Sequence, residues 1–228
     1  MTIWTPHVNY PVNDRTMEVY GRKNFNGYGL GCETTEYNSK QMVSHTGGYD
    51  GMYSAVTMLP TEKIGVVILT NTMDGIGTLL SYEIIDRLLG LPQQDWKNRG
   101  INQDKGHWAD RAARIKERTD ARIMGTKPSM DVVAISGLYR CPLFGDIRIL
   151  EENGKLTIDF VHSPQLKARL SHWHNDTYQL EWLEEQAWFE FGTVQIQMNN
   201  SGKPSGLLFD VPNDDIFFEE IKAVRVTP

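Results

Sequence analysis

Apolar and polar positions follow two different patterns in the two halves of this chain. In the first half, four strand-like runs are separated by turn residues, and they cover 28–34, 42–46, 52–59 and 64–70. The last run is almost continuously apolar, which is typical of a strand buried on both faces. We therefore expect a sheet with helices on both sides. The polar, turn-rich residues 1–26 are expected to be irregular.

Two helices are predicted after the fourth strand. Asp74 has the side chain of an N-cap residue, Gly90 suits the left-handed position after a helix, and Pro92 prevents continuation. A second helix, over 107–123, is predicted from a narrower stripe of apolar residues. Between Asp74 and Gly90, apolar residues recur every four positions and predict one buried stripe, formed by Ile76, Leu80, Ile84 and Leu88.

From residue 131 the pattern changes to short alternating strands. Asn153-Gly154 favours a type I′ hairpin. About eight strands at this spacing predict a barrel or a sandwich, and a barrel is favoured because closure removes strand edges. The predicted fold class is thus α+β, a partial antiparallel sheet with a flanking helix followed by an antiparallel up-and-down β-barrel. We expect three parts: 1–92 for the sheet, 93–130 as a helical linker, and 131–228 for the barrel.

Charge and hydropathy exclude several classes of function. The 29 acidic and 23 basic residues give a net charge of −6, and the acidic excess is largest in 131–228, so nucleic acid is not an expected partner. The longest apolar run, 64–69, is far shorter than the ~20 residues that span a bilayer. The first residues do not resemble a signal peptide. Cys32 and Cys141 are expected to be free thiols without a metal motif.

The stretch His45-Thr46-Gly47-Gly48 carries the clearest chemical signal. Glycines within a strand indicate that a ligand or a neighbouring strand approaches the backbone closely. A tight hairpin through Tyr49-Asp50-Gly51 explains the same glycines. The stretch alone therefore leaves both interpretations open.

An ordered set of segments over residues 25–91 gives this stretch a family resemblance. It resembles the serine β-lactamase and penicillin-binding-protein superfamily, in its class C-like, esterase and D-aminopeptidase branch. In that family a Lys-Thr-Gly or His-x-Gly triplet lies on the edge strand beside the active site, and His45-Thr46-Gly47 matches it. The segments, in order, are Tyr28-Gly29-Leu30-Gly31, His45-Thr46-Gly47-Gly48, Pro60, and Val66-Val67-Ile68-Leu69-Thr70-Asn71.

The resemblance implies a role for four residues. His45 takes the place of the cation or proton-relay residue, and Thr46 faces the substrate. Gly47 leaves room for an acyl group along the strand, and the N–H of Gly48 is one of two oxyanion-hole donors. The implied reaction is acyl-serine hydrolysis or transfer on a β-lactam, ester or D-amino-acid peptide, without metal or cofactor. A periplasmic or extracellular location is implied in the same way.

The chain also departs from the family pattern. The nucleophile motif Ser-x-x-Lys does not occur in it, nor does the second motif, Tyr-x-Asn or Ser-x-Asn. Both lie N-terminal to the matched stretch in the family, so we expect a C-terminal portion that is inactive alone. Its uncovered apolar surface should favour self-association. An alternative triad of Ser54, His45 and Asp50 lacks a nucleophile-elbow motif.

Residues 131–221 resemble the lipocalin-like β-barrel that follows many of these hydrolases, through motifs such as Gly137-Leu138-Tyr139-Arg140 and Asn153-Gly154-Lys155-Leu156. His172 and His174 alternate on one strand and could bind Zn²⁺, although spacing places no third ligand. Alternatively they flank a turn and bond to Asp176 or to backbone. Two rival functions remain: a barrel that binds a small apolar molecule, and a non-catalytic partner of a separately encoded catalytic half.

Overall fold

The computed structural model describes residues 2–49, 51–186, 188–213 and 216–226. The chain divides into two compact units, one up to Ala109 and one from Asp110 onward. Within the described ranges, the first unit contains a six-stranded sheet and the second a closed eight-stranded barrel. The predicted α+β fold class is therefore confirmed. The finer boundaries at 92/93 and 130/131 stay predictions.

In the sheet of the first unit, each strand pairs antiparallel with the strands that precede and follow it in the sequence. All successive strands except the first two are joined by short connections, which is the simplest way to build an antiparallel sheet. The strands are β1 (Val8–Asn9), β2 (Asn26–Tyr28), β3 (Glu33–Tyr37), β4 (Lys40–Tyr49), β5 (Met52–Leu59) and β6 (Ile64–Thr70).

The N-terminal part of the sheet differs from the prediction. The strand predicted over 28–34 is wrong, because a turn separates β2 from β3. A Cβ at Gly29 would lie 2.2 Å from the carbonyl oxygen of Ile3, and Gly31 has a φ of +84°, so close backbone approach and a left-handed residue end the strand here. Residues 1–26 are not wholly irregular, since they contain a 3-10 helix (Thr2–Trp4), β1 and helix α1 (Asp14–Tyr20).

Helix α2 (Ile76–Leu89) covers one face of this sheet. Its end is as predicted, with Gly90 at a φ of 66° and its N–H donated to the Arg87 carbonyl. The N-cap is Gly75 rather than Asp74. Asp74 nevertheless stabilises the first turn, because its Oδ1 accepts the N–H of Ile76 at 3.2 Å.

The buried side of α2 is not the predicted stripe. Ile76, Leu80 and Leu88 are exposed. The helix is rotated because Leu79, Tyr82 and Ile85 pack against the sheet instead. A repeat of four residues also drifts around a helix of 3.6 residues per turn, so its members cannot all face one neighbour. The buried positions are Gly77, Leu79, Ser81, Tyr82, Ile85 and Asp86.

Strand β6 is buried on one face only, so the prediction of burial on both faces is wrong. Val66 is buried, whereas Val67 and Leu69 are 63% and 77% exposed. The alternation continues across β5, where Ala55, Thr57 and Leu59 are buried towards α2. The opposite face of β4–β6 is left largely open.

The second unit is an up-and-down barrel, as predicted. Each strand pairs with its neighbours in sequence, and β14 pairs back with β7 to close the ring. Asn153 and Gly154 have φ values of 52° and 74°, as a type I′ turn requires. The strands are β7 (Gly137–Cys141), β8 (Gly145–Glu152), β9 (Lys155–Phe160), β10 (Lys167–His174), β11 (Thr177–Trp182), β12 (Thr193–Met198), β13 (Pro204–Asp210) and β14 (Ala223–Arg225).

Helices α3 (Trp96–Asp120) and α4 (Val132–Ile135) precede the barrel, and a 3-10 helix (Phe218–Glu220) precedes β14. Helix α3 begins well before the helix predicted over 107–123. Near the end of α3, Arg118 Nε donates to both carboxylate oxygens of Asp210 at 2.8 and 2.9 Å. Among the described residues, no helix combines the length and apolarity needed to cross a membrane.

Candidate functional site

The predicted site residues lie on the second half of β4. Strand β3 pairs with β4 only as far as Glu33 opposite Ser44, whereas β5 pairs with β4 from Val43 to Tyr49. Within the part of the chain that the structure describes, β4 beyond Ser44 is thus paired on one side only. Residues 45–49 form an open sheet edge, whose backbone N–H and C=O groups can pair with an extended ligand.

His45 stands at the beginning of this open edge with its side chain exposed. Its Nε2 lies 2.9 Å from the hydroxyl oxygen of Tyr28, and the two rings meet edge to face with centroids 6.1 Å apart. A phenol can donate or accept, so this bond orients the imidazole and allows either tautomer. An imidazole held through one nitrogen keeps the other for proton transfer.

Side chains alternate along the open edge. His45 and Gly47 point to the open face of the sheet, while Thr46 and Gly48 point to the α2 side. A Cβ at Gly47 would have Ser54 Oγ as its neighbour, at an ordinary 3.6 Å. The packing of the described chain therefore does not require glycine at position 47.

Backbone groups alternate as well. The hydroxyl of Ser54 donates to the carbonyl oxygen of Gly47 at 3.3 Å, which places that carbonyl on the β5 side. Successive residues of an antiparallel strand direct their N–H and C=O groups to opposite sides. Thr46 and Gly48 accordingly direct theirs to the open edge.

The alternative triad is not assembled. Ser54 pairs with Gly47 across the strands, and His45 pairs with Val56. The Ser54 hydroxyl bonds to a backbone carbonyl, and the His45 Nε2 bonds to a tyrosine. Asp50 lies outside the described residues.

A buried polar cluster on the α2 side of the sheet was not predicted from the sequence. Asp86, on α2, accepts a hydrogen bond from the Tyr37 hydroxyl and another from Trp96 Nε1 at 2.7 Å. Burial, together with the bond to Asp86, raises the pKa of Tyr37. These three residues come from β3, α2 and α3, so no local spacing in the sequence marks them.

Lys23 belongs to the same buried region. Its Nζ donates to the Tyr82 hydroxyl at 3.4 Å and lies 5.0 Å from the ring centroid of Tyr20. Burial lowers the pKa of Lys23 to about 8 and raises that of Tyr82 well above its ordinary value. A lysine between Arg22 and Asn24 gives no sequence signal of burial. Its position is a consequence of tertiary packing.

The two barrel histidines bond to backbone. His172 Nε2 lies 2.9 Å from the Asn175 carbonyl oxygen, and His174 Nδ1 accepts the N–H of Ile123 at 3.2 Å. A β-bulge falls between them. Within the described ranges, no group of three His, Cys, Asp or Glu side chains is arranged to hold a metal ion. These contacts match the turn-flanking alternative.

The barrel interior is filled by aromatic and aliphatic side chains. The Phe218 ring lies 5.0 Å from that of Phe189 and 6.3 Å from those of Phe160 and Phe209, centroid to centroid. Tyr139 is fully buried beside them in the same core. A barrel that binds a small molecule needs a lumen, so this packing argues against that rival function.

Comparisons with known proteins cover different parts of the chain. Residues 121–225 match the family described as Domain of unknown function (DUF3471). The Unguisins hydrolase ungD of Aspergillus violaceofuscus is 38% identical over 71 residues, which are 30% of this chain and 12% of that protein. The chain is thus related over that stretch to a hydrolase, and it spans a small fraction of that hydrolase's length.

Two solved structures show weaker similarity. The octameric penicillin-binding protein homologue from Pyrococcus abyssi is 14% identical over 98% of this chain and 41% of its own, with a TM-score of 0.35. SurE with D-Leu is 14% identical over 88% of this chain and 39% of its own, with a TM-score of 0.33. Similarities at this level are too low to establish a common fold.

Proposed function

We propose that this chain is part of a serine acyl hydrolase of the β-lactamase and penicillin-binding-protein kind. Residues 45–48 would form one wall of its acyl-binding cleft. The observation that supports this most directly is the open edge of β4, where the His-Thr-Gly-Gly stretch is paired on one side only within the described ranges. The 71-residue similarity to a hydrolase agrees with this assignment. The finer assignment, to the class C-like branch with a lipocalin-like barrel, follows the sequence resemblance.

The open edge has the groups that acyl transfer needs on one side of a cleft. The N–H of Gly48 is directed outward and can donate to the oxygen that becomes negative in the tetrahedral intermediate. Gly47 has no side chain to obstruct an acyl group lying along the strand. His45, oriented by Tyr28, can relay a proton at its free nitrogen.

The nucleophile would come from polypeptide outside these 228 residues, because the chain contains no Ser-x-x-Lys. We therefore expect the chain alone to be inactive. The test is incubation with a chromogenic β-lactam, a p-nitrophenyl ester and a serine-directed acylating probe, followed by intact-mass measurement. No turnover and no adduct are expected. A stoichiometric adduct on any serine of this chain would refute the expected inactivity and the location of the nucleophile outside these residues.

The positive test uses the longer protein in which an upstream Ser-x-x-Lys is joined to this chain. Gly47→Ala should leave the melting temperature unchanged, because the fold has room for a Cβ at 3.6 Å. It should slow acylation of the serine about tenfold or more, because the methyl group stands where the acyl group lies. Gly65→Ala is the matched control, since that glycine is on the same sheet and its added Cβ would meet Met58 at 4.0 Å.

His45 is tested in the same protein. His45→Ala should lower kcat by about 10²-fold or more, and His45→Lys, which restores the family's Lys-Thr-Gly form, should recover part of the activity. His107→Ala, at an exposed position on α3, should have no effect. Equal activity of His45→Ala and wild type, or equal acylation of Gly47→Ala and Gly65→Ala, would contradict the proposed cleft.

A further inference from the structure

Tyr28 makes the only hydrogen bond that the imidazole of His45 forms within the described ranges. The Tyr28 hydroxyl oxygen lies 2.9 Å from His45 Nε2, so Nδ1 is the ring nitrogen that is left for a substrate. A neutral imidazole has one N–H and one nitrogen lone pair. The direction of the Tyr28 bond therefore decides whether Nδ1 offers a proton or a lone pair.

The backbone of Tyr28 is held on both sides. Tyr28 pairs with a residue of β1 and with a residue of β3, and its carbonyl oxygen accepts the N–H of His7 at 2.8 Å. Its ring also contacts that of Tyr10, with centroids 6.5 Å apart. The hydroxyl is thus presented to His45 from a fixed backbone. A side chain that is already ordered can orient a neighbour at little additional entropic cost.

The chemistry of the two groups favours the phenol as the donor. The aromatic ring withdraws electron density from the Tyr28 oxygen, which strengthens its O–H as a donor and weakens its lone pairs as acceptors. The lone pair of an imidazole nitrogen is the better acceptor of the two. When Tyr28 donates to Nε2, the single proton of the neutral His45 ring has to be on Nδ1.

From this geometry we infer that Tyr28 is a positioning residue of the site. It donates to Nε2, holds neutral His45 in the Nδ1–H tautomer, and so provides a hydrogen-bond donor beside the open edge of β4. Free histidine prefers the other tautomer, with the proton on Nε2, so most of this donor would be lost without Tyr28. The role in the reaction rests on the proposed function, whereas the tautomer is a property of this chain alone.

The same pair of side chains can relay a proton in the proposed reaction. Nδ1 of His45 releases its proton to the leaving group while Nε2 takes the proton of the Tyr28 hydroxyl. The resulting phenolate then regains a proton from water. The imidazole stays neutral throughout, and the hydroxyl of Tyr28 is what makes this exchange complete.

Nitrogen-15 NMR of this chain measures the tautomer directly, because protonated and unprotonated ring nitrogens differ in chemical shift. The spectra are recorded at pH ~8, where an unperturbed imidazole is neutral, and the His45 signals are those missing from His45→Ala. Wild type should show a majority of Nδ1–H. Tyr28→Phe keeps the ring and removes the hydroxyl, so the ratio of Nδ1–H to Nε2–H should fall about tenfold, as expected for the loss of one hydrogen bond.

Tyr10→Phe is the matched control, because it removes a hydroxyl from the neighbouring ring that makes no bond to His45. It should leave the tautomer ratio unchanged. In the longer protein with an upstream Ser-x-x-Lys, Tyr28→Phe should lower kcat about threefold or more, because the Nδ1–H donor becomes the minority form. In the His45→Ala background it should have no further effect, since the residue through which it acts is gone.

An Nε2–H majority in wild type would overturn the inference, as would equal tautomer ratios in wild type and Tyr28→Phe or an equal change in Tyr10→Phe. These results are obtained whatever the longer protein catalyses. Activity that depends on His45 but is unchanged in Tyr28→Phe would also overturn it, and would leave the proposed function intact. Failure of the proposed function is seen separately, as a longer protein that hydrolyses no acyl substrate.

Discussion

Deprotonation of the buried Lys23 should stabilise the first unit between neutral and mildly alkaline pH. Burial lowers the pKa of this lysine from its ordinary 10.5 to about 8. Below pH ~8 the group is charged in both folded and unfolded chains, and the folded state carries the full cost of burying the charge. Between pH ~8 and ~10.5 the folded state loses its proton first, so stability rises with pH.

The size of this effect follows from the shift itself. Lowering the pKa of Lys23 from 10.5 to about 8 corresponds to about 3 kcal/mol of destabilisation of the folded state at neutral pH. The contacts of the ammonium with Tyr82 and Tyr20 offset part of the cost of its burial. Lys23→Met removes the charge and keeps a chain of similar length. We expect it to stabilise the first unit at pH ~7, and we expect this advantage to shrink by about 2 kcal/mol by pH ~9.5.

The assay is urea unfolding of wild type and Lys23→Met across this pH range. Both units unfold in urea, so the transition of the first unit has to be identified. Leu79 belongs to the core of that unit, and the transition that Leu79→Ala shifts is therefore the one to follow. Measurements stop below pH ~10, where tyrosines of the unfolded chain begin to ionise. Lys97→Met, at an exposed position, is the control and should show no pH-dependent difference. A Lys23→Met difference that is constant from pH ~7 to ~9.5 would refute the reasoning.

Two further predictions concern the barrel. Gly145→Ala should destabilise it by more than the ~1–2 kcal/mol that a left-handed non-glycine residue costs, because the new Cβ would lie 2.4 Å from the His162 ring. Gly154 has a similar positive φ but open space around it, so Gly154→Ala should show the conformational cost alone. Equal melting temperatures of the two variants would contradict the additional cost at Gly145. Phe218→Ala should cost about 3–5 kcal/mol in urea unfolding by leaving a cavity in the barrel core. Phe217→Ala, at a 58% exposed position, should change stability by less than ~0.5 kcal/mol, and similar losses from both would show that the interior is not packed around Phe218.

Local signals in the sequence predicted the elements that local physics determines. Strand-like runs bounded by turn residues located β5 and β6, turn chemistry located the Asn153-Gly154 hairpin, and glycine at position 90 located the end of α2. The turn within 28–34 was missed because it depends on a distant contact, the approach of the Ile3 carbonyl to Gly29. Periodicity alone could not reveal that contact.

Burial was predicted less well than secondary structure. An apolar run such as β6 shows that a strand can be buried on both faces, but it does not show that both faces are covered. The stripe on α2 failed for a related reason, because Tyr82 and Asp86, which are polar, occupy the buried side. Asp86 is buried because Tyr37 and Trp96 both donate to it, and such pairing across elements is what allows a carboxylate into a core.

The candidate site likewise combines a feature that the local sequence predicted with features that only the tertiary structure determines. The glycines that follow His45 and Thr46, together with the family resemblance, marked one short stretch. Among the described residues, its position at an unpaired edge is a property of the register in which β3 begins at Glu33, opposite Ser44. Which backbone groups point outward also depends on that register, through the bond from Ser54 to the Gly47 carbonyl. A sequence can therefore nominate a catalytic stretch, while only the sheet decides whether the stretch is accessible.

The sheets of the two units differ in whether their edges are paired and their faces covered, and this contrast agrees with the proposed site. The barrel pairs β14 with β7, so it has no free edge, and Phe218 helps to fill its interior. Its apolar side chains are largely used within its own core. Among the described residues of the first unit, the β4 edge is unpaired beyond Ser44, and Val67 and Leu69 are exposed. Unsatisfied backbone groups and exposed apolar side chains are what a binding partner can still stabilise. The edge and the exposed face of β4–β6 are therefore where a ligand or a catalytic segment can pair with backbone groups and cover apolar side chains.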